Sequence, residues 1–130
     1  MAIRIFEFLR FLPILLALAG CASNVTQFPT EFTPAAVAEP HTLKTLAKQV
    51  DIKLDTGYSR SLKRGSQWTR IGTVAQGDVC KPYMDVFTLE GAHIHEAYLV
   101  ISGGYLVGFY LPVERSFSPL KKSIPFAINP

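Results

Sequence analysis

The chain of 130 residues carries 13 Lys and Arg against 10 Asp and Glu, with two cysteines. That length holds one modest domain and excludes a multidomain assembly. Setting aside the first twenty residues removes Arg4, Arg10 and Glu7, so the remainder is close to neutral and lacks the strongly basic balance of a nucleic-acid binder.

The first twenty residues pattern as a targeting segment. Arg4 and Arg10 supply positive charge, and an apolar run from Phe11 to Ala19 ends in small residues. A bilayer-spanning helix needs about 20 apolar residues, so this run fits a signal h-region. The stretch Leu18-Ala19-Gly20-Cys21 resembles the lipobox of bacterial lipoproteins. The resemblance implies cleavage before Cys21, a diacylglyceryl group on its thiol and an acyl group on the new amino terminus. Each buried methylene contributes about 0.8 kcal/mol, and two or more chains make a stable anchor where one does not. Ala22 follows the cysteine where Asp would retain the protein at the inner membrane, which implies the outer membrane. In that compartment nucleic acid is no partner. Lipidation of Cys21 would leave Cys80 as a lone thiol, expected to be buried and inert, the alternative being a pairing with another chain.

Residues 21–41 contain Pro29, Pro34 and Pro40 and hold no period of 2 or 3.6, so they read as a lipidated N-terminus and flexible linker. Such a coil spans roughly 25 Å on average and up to roughly 60 Å extended. Phe28 and Phe32 stand in it, available to dock on the domain or the bilayer. Thr42 then precedes Leu43, Leu46, Ala47 and Val50, a spacing that predicts one short helix capped by Thr42. Val50 to Asp55 alternates strictly and predicts a half-buried strand closed by Asp55-Thr56-Gly57. Further strands are expected at Trp68 to Val74, Val79 to Tyr83 and Asp85 to Glu90. The runs on either side of Gly103 and Gly104 predict a two-residue hairpin with Ile101 opposite Leu106 and Leu99 opposite Gly108. Both its faces are apolar, which puts it at the centre of the core. The β-domain is thus expected over 42–118, and an extended Pro-containing tail over 119–130.

Short strands with closely spaced turns predict a mainly β fold, a small antiparallel barrel or strongly bent sheet. Anchor, linker and compact β-meander together are similar to the small SH3-like lipoproteins of bacterial envelopes. Likeness of architecture carries no function.

Four groups of residues have the chemistry for a site. Asp55-Thr56-Gly57 has the form of an aspartic-protease triplet, but Tyr58 stands where that family has a small residue, and turn chemistry alone produces the triplet. His93 and His95 lie two apart, so a strand would aim both imidazoles at one transition metal ion. Cys80 adjoins Lys81, which lowers a thiol pKa only if both are exposed. Arg60, Lys63, Arg64 and Arg70 flank Tyr58 and Trp68, a basic aromatic region suited to lipid headgroups or an acidic partner. No catalytic signature emerges. The expectation is a non-enzymatic binding or scaffolding module, lipid-anchored in the outer membrane with its domain in the periplasm. It would need no cofactor beyond the lipid on Cys21 and would serve an envelope protein or the cell wall. The alternative is a metal- or small-ligand-binding module using His93 and His95.

Overall fold

The computed structural model describes residues 23–36 and 43–129. Residues 1–20, expected as a signal segment, lie outside the described residues, as do Cys21 and Thr42. Those described are mainly β and contain no helix. Two short strands come first, β1 (Phe28–Pro29) and β2 (Thr33–Pro34). Then follow β3 (Leu43–Leu46), β4 (Val50–Lys53), β5 (Ser59–Leu62), β6 (Gln67–Val74) and β7 (Gly77–Pro82). The second half holds β8 (Thr88–Glu90), β9 (Ile94–Glu96), β10 (Tyr98–Ser102), β11 (Tyr105–Leu111), β12 (Ser116–Pro125) and β13 (Ile128–Asn129). Nine strands form one sheet, running β1-β12-β11-β10-β7-β6-β3-β13 with β2 also on β6. The hairpins β4-β5 and β8-β9 stand apart from it, and all pairing is antiparallel.

The Gly-Gly hairpin forms as its sequence predicts. Gly103 and Gly104 both have positive φ, 56° and 82°, the conformation a tight two-residue hairpin turn requires. Ile101 faces Leu106 as expected, but Val107 then bulges out and Val100, not Leu99, faces Gly108. A bulge of this kind sharpens twist and bend, and local alternation does not announce it. Each face of the hairpin feeds its own core. Leu99, Leu106, Phe109 and Leu111 join Ile52, Trp68 and Phe87 on one side. Val100 and Tyr110 join Val74, Val79 and Phe117 on the other.

The helix expected from Thr42 to Val50 is absent over its described part. Leu43–Leu46 is strand β3, laddered to β6 and to β13. The spacing of Leu43, Leu46, Ala47 and Val50 suits a helix, but two neighbouring strands far off in sequence satisfy this backbone instead. Val50–Lys53 alternates buried and exposed as expected.

The segment expected to be a flexible linker is part of the domain over 23–36. Val25 is 5% exposed and sits in the larger core. Phe28 and Pro29 pair with Phe117 and Ser116 of β12, and Thr33 and Pro34 pair with Thr73 and Gly72 of β6. Proline lacks a ladder N–H, so it suits strands paired along one side only. Phe32 stacks on Tyr110 between the two contacts. Chain connectivity limits Pro29 and Thr33 to roughly 15 Å. On a flat sheet the six strand spacings from β1 to β2 would cover roughly 29 Å, so the sheet between them curves. Its strands do not close into a barrel. Instead the N-terminal strap links the β12 and β6 sides, and the C-terminal residues run from β12 on to β13 beside β3. Within residues 119–129, expected as an extended tail, Pro119, Ile124 and Pro125 therefore ladder to β11, and Ile128 and Asn129 to β3.

Candidate functional site

The strap enters the domain at one end, between two turns. Ser23 O accepts a hydrogen bond from Ala92 N at 3.1 Å, in the turn between β8 and β9. The turn between β4 and β5 meets it there, with Thr56 Oγ1 donating to Glu90 O at 3.1 Å. Gly91 is what lets the strap this close: a Cβ at that position would stand 2.8 Å from Ser23 O. Lys53, Asp55 and Lys121 line a recess beside Asn24 and Val25, and Lys121 Nζ lies 3.3 Å from Asp55. Asp55-Thr56-Gly57 is thus a turn at the strap's point of entry, with Gly57 at φ 88° and its N–H donating to Leu54 O.

Beside that entry lies His95, 6% exposed on β9. Its Nδ1 is 2.7 Å from Glu114 Oε1, in the loop between β11 and β12, and a carboxylate there accepts the ring N–H. Its Nε2 is 3.5 Å from Asn24 Oδ1 of the strap. The imidazole therefore holds Glu114 of the β11–β12 loop and lies against Asn24 of the strap. His93 is exposed, its ring edge-on to His95 with centroids 6.5 Å apart. The spacing of two does bring the imidazoles near each other, but burial gives them different surroundings. No group of three or more His, Cys, Asp and Glu side chains suited to a metal occurs among the described residues.

The basic region does not assemble into one patch. Trp68 is 3% exposed, its indole N–H donating to Ser66 Oγ and its ring edge-on to Phe87. Arg60 lies 4.4 Å from the centroid of Phe87, with Nη1 near Thr88 O. Arg70 pairs with Asp78 at 3.0 Å on the sheet. Lys63 and Arg64 are exposed in the turn after β5, at the end of the β4-β5 hairpin opposite Thr56. They share that end with the loop after β7, where Tyr83, Met84 and Val86 are exposed, Met84 by 87%.

Cys80 is buried and unpaired. Burial pushes its thiol up to about 11, far from the thiolate that nucleophilic chemistry requires. Tyr98 is raised to about 12, first by burial and then by the hydrogen bond its hydroxyl donates to Glu96.

No family model, no curated protein and no solved structure matches the chain. The molecule's own geometry has to carry the functional reading. Val25, Phe32 and Glu114 complete the arrangement; of these only Phe32 stood out in the sequence, as a residue available to dock on the domain or the bilayer, and it docks on the domain. Two glycines were the available signal. Gly72 lies inside a strand, where a Cβ would meet Thr33 O at 2.3 Å and the Phe32 ring at 2.7 Å, and Gly91 admits Ser23 in the same way. A glycine within a strand pattern often marks close approach of another backbone.

Proposed function

We propose that the protein is a lipid-anchored envelope module: a small, strongly bent β-domain of SH3-like kind, held by acyl chains on Cys21 and acting as a non-enzymatic binding or scaffolding unit. The observation that carries the reading is the order Leu18-Ala19-Gly20-Cys21 followed, four residues later, by Val25 in the core. A signal segment cleaved before Cys21 would leave only Cys21 and Ala22 ahead of the described domain. Ala22 after that cysteine favours the outer membrane, with the domain in the periplasm. Tyr83, Met84 and Val86, beside Lys63 and Arg64, are the exposed apolar and basic surface from which such a module recruits a partner.

The metal-binding alternative draws little support from His95, whose ring is buried with Nε2 against Asn24.

Fractionation of cells making the wild type and Cys21→Ser tests the anchor. The wild type should stay with outer membranes, and the variant should be released or retained unprocessed. Equal membrane retention of a processed, unlipidated chain would overturn the reading. A photo-crosslinker at Met84 tests the scaffold role, which requires a reproducible protein or cell-wall adduct.

A further inference from the structure

We infer that the domain sits directly on the bilayer surface by the end where the strap enters, and points the opposite end away from it. The inference rests on the lipid-anchor reading above. A free spacer of residues 21–41 would let the domain turn in any direction. The strap removes that freedom, because the chain is part of the fold over residues 23–36.

Cys21 is two Cα steps from Ser23, which limits their separation to roughly 8 Å. Ser23 is held by Ala92, and Val25 is buried in the core. Gly72 and Gly91 show that this docking is built into the fold, since a side chain at either would collide with the strap. A diacylated Cys21 at the headgroup level therefore brings the turns at Thr56 and at 91–93 against the lipid. Length of tether, more than charge, selects the occupant: the bilayer is the one body that must lie within that reach.

The same geometry orients the rest. The β4-β5 hairpin and the segment 86–90 run side by side, with Thr56 on Glu90 at one end and Arg60 on Phe87 further along. Lys63, Tyr83 and Val86 line one recess beyond them, and the exposed Arg64 and Met84 are their neighbours in the chain. That end lies roughly 20 Å from Thr56 along the strand direction. The basic turn is thereby held off the anchoring membrane and shown to whatever faces it.

The test uses full-length protein in vesicles of phosphatidylethanolamine and phosphatidylglycerol, with a fluorophore on a single new cysteine and a nitroxide quencher on lipid headgroups. Cys80 is buried and should not label. Ala92→Cys marks the near end and Arg64→Cys the far end, with His93→Cys and Met84→Cys as the second pair should either of the first disturb folding. Near labels should be quenched several-fold more than far ones. Eight Gly and Ser residues inserted between Ala22 and Ser23 should erase the difference while leaving the protein on the vesicles. Vesicle-bound protein with equal quenching at both ends overturns the orientation alone. A near label shielded from water but unquenched means that a protein covers this end, and it overturns the orientation too. Protein that does not float with vesicles, its Cys21 thiol free to label, overturns the anchor reading and this inference together.

Discussion

The Phe32 ring stacks on that of Tyr110 with centroids 5.2 Å apart and planes 19° from parallel. One partner comes from a proline-bearing segment that reads as linker, the other from β11 inside the sheet. The contact covers the second core, and through it the N-terminal segment contributes to global stability. Phe32→Ala should lower unfolding free energy by about 1–3 kcal/mol, less than full burial of a phenylalanine would give because the ring is half-buried. Denaturant midpoints should fall with the slope unchanged. A free linker would leave the midpoint where it was.

Gly72→Ala tests the crossing itself. The added methyl would stand 2.3 Å from Thr33 O, a backbone atom that cannot swing aside. The strap must lift off β6, at a cost of about 1–3 kcal/mol. Hydrogen exchange should speed up at Ala35, whose N–H is bonded to Ile71 O, before it does at Leu99.

His95 holds Glu114 and borders Asn24, so His95→Ala should loosen the strap and the loop between β11 and β12 together. A half-exposed carboxylate left without its donor points to a loss of about 1–3 kcal/mol. Glu114→Gln, which keeps an acceptor for the ring N–H, should cost less. Equal losses would contradict the hydrogen-bonded latch.

Alkaline pH should destabilise the fold earlier than neighbouring conditions suggest. The Cys80 thiol ionises near 9.0 in the unfolded chain and at about 11 in the native one. Between those values the native state binds more protons than the unfolded state, so stability is fully present below pH 9 and declines as pH rises toward 11. The full loss is about 2–3 kcal/mol. Tyr98, raised from 10.0 to about 12, adds in the same direction above pH 10. Urea midpoints measured from pH 7 to 10.5 should show the fall, and Cys80→Ala should flatten it between 9 and 10.

Where neighbours in sequence are neighbours in space, the chain was legible. The Gly103 and Gly104 turn follows from the positive φ it needs, and Val50–Lys53 follows from its alternation. Failures came where distant partners decide. Leu43–Leu46 is extended because β6 and β13 flank it, and nothing local reveals either. Prolines 29 and 34 argue against a strand unless it is known to be paired along one side only. His93 and His95 fell near each other as their spacing demands, yet only the fold separates an exposed imidazole from one held by Glu114. The basic region dissolved for a similar reason: Trp68 turned inward and Arg70 found Asp78, leaving Lys63 and Arg64 outside.

The most direct measurement for the central claim is the intact mass of the protein extracted from outer membranes. The account predicts a polypeptide that begins at Cys21 and carries a diacylglyceryl and an acyl group. A chain that retains residues 1–20, or one that begins elsewhere with a free Cys21 thiol, would contradict it.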